Sequence, residues 1–115
     1  MKYVILLAEE DHFARWDEAG QSKRQQDAGD FARFVEAVGQ RGRIVAGEAL
    51  VHPELARTVQ PGGAVTDGPY AETTEQLGGF YLIDVPTRAD AVELAALLPD
   101  QYRREVREIL QMRWD

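Results

Sequence analysis

Two stretches of this chain are apolar on both alternating faces: residues 3–8, Tyr-Val-Ile-Leu-Leu-Ala, and residues 80–85, Phe-Tyr-Leu-Ile-Asp-Val. Successive side chains of an extended segment point to opposite sides, so a strand of this composition has to be covered on two sides rather than one. A single helix layer covers one side only. Every other element of the chain therefore bears on what lies against each face of the sheet.

Helical spacing appears twice. Phe31, Phe34, Val35 and Val38 fall at i, i+3, i+4 and i+7, which predicts an amphipathic helix from Asp27 that stops at Gly39 or Gly42. Thr87 with Asp90 three residues on forms a capping-box-like start, and Ala91, Leu94, Ala95 and Leu98 supply the stripe of a second helix ended by Pro99. Residues 43–51 read as a strand, closed by His52-Pro53 because proline lacks an N–H for a ladder. Residues 55–59 and 63–66 flank Gln60-Pro61-Gly62-Gly63, which suits a type II turn and predicts a small hairpin. Residues 105–114 read as a closing strand with Val106, Leu110, Met112 and Trp114 on one face. The polar residues 9–26, interrupted by Phe13 and Trp16, read as a loop or irregular helix whose aromatics fold back as an anchor.

The order β-α-β-(hairpin)-β-α-β is that of a ferredoxin-like α+β sandwich with an inserted β-hairpin, both helices lying on one sheet face. The exposed second face would be a large apolar patch. A homodimer with the sheets packed face to face resolves it. With 115 residues and no repeat or linker, residues 1–115 are expected to form one domain.

Charge narrows the partners. Lys+Arg 13 against Asp+Glu 20 gives a net charge of −7, a field that repels phosphate backbones and anionic lipid, so neither nucleic acid nor membrane is expected. The absence of cysteine excludes disulfides and thiolate metal sites and fits a cytoplasmic location. The first apolar run is too short for a membrane span or a signal-peptide core.

Polar groups concentrate in residues 65–77, just before the second two-faced strand, where a rigid element can present loop chemistry. Asp67 is a candidate general base or ligand anchor, though Asp before Gly-Pro commonly serves its own turn. Glu72 and Glu75, three apart, share a face if the segment is helical, and two close carboxylates can divide into an acid and a base. His52, at a strand end, is a candidate proton shuttle. Arg57, Tyr70 and Tyr81 suit a small, partly anionic or aromatic ligand. His12, among Glu9, Glu10 and Asp11, suggests a weak metal site, but without a regular ligand spacing it is set aside. No Gly-rich phosphate loop, nucleophile elbow or HExxH is present, so no cofactor is expected and proton transfer of a lyase or elimination type is the chemistry left open. The competing reading is a non-catalytic regulatory or interaction module, using the acidic residues 9–18 for a partner.

With Asp67-Gly-Pro-Tyr-Ala-Glu-Thr-Thr-Glu75 followed by Leu77-Gly-Gly-Phe-Tyr81, and with Gly47-Glu-Ala-Leu50, Ala56-Arg-Thr-Val59 and Glu105-Val-Arg107, the sequence resembles the YCII-related family. The resemblance is to its branch named for the motif Asp-Gly-Pro-Phe-Ala-Glu-Thr-Lys-Glu, of which seven of nine residues are identical. It implies a dimeric α+β barrel with a ligand pocket between sheet and loops, and an association with extracytoplasmic-function sigma factors. Tyr70 replaces the motif's Phe and Thr74 its Lys. Shorter relatives resemble acid–base enzymes through a His near the start of the first helix and an Asp after the second. Those positions align here with Phe31 and Leu98, so that dyad is not carried over.

Overall fold

The computed structural model describes residues 1–70 and 74–112. Strand β1 (Lys2–Glu10) occupies the middle of a four-stranded sheet, and its alternation is resolved by burial: Tyr3, Ile5, Leu7 and Glu9 are buried on one side, Val4, Leu6 and Ala8 half-covered on the other. Strands β5 (Glu75–Asp84) and β6 (Arg103–Glu108) pair antiparallel to β1 on its two sides, and β2 (Arg43–Ala49) pairs antiparallel to the far edge of β5. The order β2-β5-β1-β6, with helices α2 (Gln21–Arg41) and α3 (Arg88–Ala95) on one face, is consistent with a ferredoxin-like α+β fold. Strands β3 (Arg57–Val59) and β4 (Val65–Asp67) form a separate two-stranded arm.

The core lies between the sheet and the two helices. Tyr3, Ile5 and Ile83 from the sheet meet Phe34 and Val38 of α2 and Leu94 of α3, each at most 1% exposed. Each such side chain contributes roughly 1.5–3 kcal/mol through burial. The N-terminus of α3 is capped as expected: the Asp90 N–H donates to Thr87 Oγ1 at 3.1 Å, and the Thr87 hydroxyl donates to Asp90 Oδ2 at 2.7 Å. The hairpin turn also forms. Gly62 sits at φ 93°, the sign a type II turn demands at its third position, and the Gly63 N–H closes the turn on Gln60 O at 2.9 Å.

Several boundaries differ from the sequence reading. Of the two readings of residues 9–26, loop or irregular helix, the helical one holds: after β1 the chain enters a short helix, α1 (His12–Glu18), and α2 already begins at Gln21. The buried stripe of α2 is narrower than its apolar pattern, since Val35 is 47% exposed while Asp27 is buried with Phe34 and Val38. Gly39 lies inside α2, and Gly42 ends it by donating its N–H to Val38 O. Strand β2 stops at Ala49, whereas β5 starts earlier than expected, at Glu75, with Gly78 and Gly79 inside the ladder. The closing strand ends at Glu108, leaving Leu110 and Met112 exposed. The expected place of Trp114 on that strand lies outside the described residues. Glu75 begins a strand rather than sharing a helical face with Glu72, itself outside the described residues.

Register fixes the other sheet face. Val4 and Leu6 stand beside Leu82 and Phe80, with Ala46 and Glu48 of β2 on one side and Arg107 and Glu105 of β6 on the other. The molecule measures 48 × 44 × 17 Å, one sheet and one helix layer thick, and among the described residues no helix is placed on this second face. No helix among the described residues is long and apolar enough to cross a membrane.

Candidate functional site

Glu9 is the last inward-facing residue of β1, in register with Tyr3, Ile5 and Leu7, so the strand that builds the core also drives a carboxylate into it. Two residues later the backbone turns through Asp11, at φ 51°, and the Asp11 N–H is tied to Thr74 O at 2.7 Å. Aspartate tolerates this left-handed geometry better than most residues. The turn brings His12, the first residue of α1, back over Glu9: Nδ1 and Glu9 Oε2 are 2.9 Å apart, with both residues less than a tenth exposed. A carboxylate can only accept, so Nδ1 donates, and in the neutral ring Nε2 then carries the lone pair. Among the described residues Nε2 has no hydrogen-bond partner.

The ring occupies space that only glycine leaves free. A Cβ built on Gly78 would lie 2.6 Å from His12 Nε2 and 2.8 Å from Cδ2. Gly78 also marks the irregularity in the β1–β5 ladder, where Leu7 pairs with Gly79 but Ala8 with Leu77. The bulge and the missing side chain together admit the imidazole.

His12 forms part of the wall of a cleft of about 340 Å³ at the end of the sheet, between β5, β2 and the helices. Phe13, Trp16, Phe31, Tyr81 and Tyr102 give it aromatic walls. Tyr102 packs at 5.4 Å from the His12 ring and 6.4 Å from Phe31. Burial, with the Glu9 and Asp27 carboxylates adding to it, pushes the Tyr102 phenol up to about 12. Burial also raises Tyr81 above its ordinary value. Both therefore remain hydrogen-bond donors at neutral pH. Beneath α2, buried Asp27 accepts from Lys23 Nζ at 2.7 Å and Gln101 Nε2 at 3.0 Å. Among the described residues no lysine or arginine lines the cleft; Glu48 borders it from β2, but its register with Phe80 and Leu6 places its side chain on the other sheet face. Among the described residues no three His, Cys, Asp or Glu side chains converge as metal ligands.

The candidates named from sequence are dispersed. Asp67 ends β4 with its side chain 89% exposed and pairs across the arm with Arg57 Nε at 3.2 Å. Arg57 also donates to Ala56 O at 2.8 Å. His52 and Tyr70 border a second cavity of about 780 Å³, with Val51, Pro69 and Leu77, that Asp67 does not line. The partner of His52 is Asp17 at 3.7 Å, not Asp67. Of the five that are described, Tyr81 alone belongs to the His12 cleft; Glu72 lies outside the described residues. The pair that sequence reasoning weighed only as part of a weak metal site, Glu9 and His12, carried another signal: Glu9 continues the period-2 register of Tyr3, Ile5 and Leu7, and an acid in that series is a buried acid in need of a partner.

The chain belongs to the YCII-related domain family, whose signature matches residues 1–113. It is similar to Uncharacterized protein R00369 of Rhizobium meliloti (strain 1021), with 30% identity over 99 residues, covering 83% of this chain and 77% of that protein.

Proposed function

We propose that this protein binds a small uncharged aromatic molecule in the His12 cleft and moves a proton on it without a cofactor, His12 acting as the general base. The observation that carries this reading is the buried 2.9 Å contact between Nδ1 and Glu9, which leaves Nε2 unpartnered in a cleft walled by aromatic rings. Nε2 takes the proton from an acidic O–H or C–H of the ligand, and Glu9 stabilises the imidazolium so formed. In a lyase-type elimination the same proton leaves with the departing group. The protonated phenols of Tyr81 and Tyr102 are suited to solvate developing negative charge on oxygen.

The lining supports an uncharged ligand. Arg57, the cation that suited an anionic one, is engaged by Asp67 on the arm, Arg24 over the Trp16 ring is bonded to Trp16 O, and an anion reaching His12 would meet the buried Glu9 carboxylate behind it. Phenol and benzoate separate the possibilities in a ligand-observed NMR titration. Phenol should bind the wild type at least about tenfold more tightly than benzoate and lose about that factor in His12→Ala. For the chemistry, the probe is deuterium wash-in from D₂O at the ring carbons of resorcinol. It should be accelerated by the wild type, slowed in Glu9→Gln and absent in His12→Ala. Equal binding of phenol and benzoate, or phenol binding indifferent to His12→Ala, would sink the reading.

The second sheet face supports self-association. Val4, Leu6, Phe80 and Leu82 form a half-covered apolar centre, flanked by Glu48 on β2 and Arg107 on β6. A second copy placed face to face buries that centre. The expectation is a dimer by light scattering that Leu6→Glu dissociates; a wild-type monomer would remove it.

A further inference from the structure

The His12 cleft and the second cavity have two lining residues in common, Phe13 and Leu50. Phe13 is 8% exposed, and its ring is held from both sides: His12 meets it at 4.7 Å nearly edge-on, at 75°, and His52 lies over it at 4.7 Å and 35°. Its backbone is fixed as well, since the Phe13 N–H donates to Gln76 Oε1 at 3.1 Å. One histidine thus belongs to the cleft and the other to the second cavity, with a single phenyl ring between them. Leu50 completes the wall from the segment after β2, its N–H bonded to Gly78 O at 3.0 Å.

We propose that Phe13 is the size gauge of the cleft: its ring closes the passage to the second cavity, so the wild type accepts a single-ring ligand and rejects a rod of two rings. This rests on the reading of the His12 cleft as the ligand site. The limit is one of direction rather than of total volume, since the Phe13 ring stands between the two spaces. At about 340 Å³ the cleft is at the small end of ligand sites, whereas the neighbouring cavity measures about 780 Å³. A ring wedged between two others cannot step aside without giving up both ring contacts and its burial. A ligand whose acidic group lies at His12 and whose body extends past residue 13 therefore collides with the wall, and truncating that residue joins the two spaces. His52 takes part through its stacking on Phe13, not as a base in the cleft.

The test compares phenol with 4-phenylphenol by isothermal titration on the wild type, Phe13→Leu, Phe13→Ala and Leu50→Ala, each checked for folding by circular dichroism. In the wild type phenol should bind at least about tenfold more tightly than 4-phenylphenol, and Phe13→Leu, which keeps a wall, should preserve that order. Phe13→Ala should reverse it by about the same factor. Should Phe13→Ala fail to fold, Leu50→Ala opens the same wall at a residue already 41% exposed and should give a smaller gain in the same direction. If phenol binds as expected but no folded variant gains affinity for 4-phenylphenol, or if the wild type takes both equally, the gauge is wrong while the cleft stands. If phenol does not bind the wild type, the cleft reading falls and the gauge with it.

Discussion

In the cleft, Glu9 and His12 are each less than a tenth exposed and bonded to one another, whereas on the arm Arg57 and Asp67 meet with side chains 56% and 89% exposed. The arm carries Asp67, the first residue of the sequence's most recognisable motif, and the cleft carries a buried acid–histidine pair beside two phenols raised by burial. The contrast follows from where each backbone goes. Strand β1 runs through the core, so any polar group on its inward register loses water and must find a partner, which fixes both partners in space. Strands β3 and β4 pair with each other apart from the main sheet, so their polar groups keep their water and an ion pair there adds little. A motif marks ancestry; burial marks where a side chain is held ready for chemistry.

This contrast can be broken or sharpened by experiment. The largest effect is expected from alkaline pH. Because the Tyr102 phenol is raised from 10.0 to about 12 in the folded chain, the unfolded chain releases its proton first. Its contribution, up to roughly 2–3 kcal/mol, is present below the ordinary value and is lost as pH climbs through the window between the two. Urea unfolding across that window should show the loss, and Tyr102→Phe should flatten it. A wild-type profile identical to that of Tyr102→Phe would mean the cleft is wetter than its burial implies.

Next comes the same substitution made in both regions. Gly78→Ala puts a Cβ 2.6 Å from His12 Nε2 and is expected to cost roughly 1–3 kcal/mol and to abolish phenol binding. Gly62→Ala, in the hairpin turn at φ 93° with nothing within 4 Å, is strained by backbone alone and should cost about 1–2 kcal/mol with ligand binding intact. Thermal unfolding and the phenol titration read both. Equal loss of binding in the two would erase the distinction between cleft and arm.

Smaller still is Glu9→Gln, which can keep a hydrogen bond to Nδ1 but gives up its charge; about 1 kcal/mol is expected, together with weaker phenol binding. The smallest change belongs to Asp67→Asn, expected within about 0.5 kcal/mol of wild type in urea unfolding and without effect on phenol binding. A large loss of binding in Asp67→Asn would return the site to the arm and overturn the assignment made from burial.

Much of the architecture was legible because it depends on local rules. The capping pair Thr87–Asp90, the Pro61-Gly62 turn and the alternation in residues 3–8 and 80–85 each state their geometry within a few residues. The start of α2 was not, since residues 21–26 contain no apolar residue to show helical spacing and Asp27 reads as exposed until Lys23 and Gln101 are seen to satisfy it. The site was half legible. Glu9 could be read as inward by parity, but Gln76, Gly78 and Tyr102 come from more than 60 residues away, and no local pattern says that Gln76 meets Phe13 or that Gly78 and Tyr102 meet His12.

The sequence by itself determined the strands, the caps, the turn and the family, because hydrogen-bonding and packing preferences of neighbouring residues act over one or two turns of chain. Only the tertiary structure decided which histidine is buried against a carboxylate, that Phe13 lines both cavities, and that the arm bearing Asp67 stands in water. Those are matters of what desolvates a group and what fills the space beside it, and both are set by segments that are distant along the chain and adjacent only once it has folded.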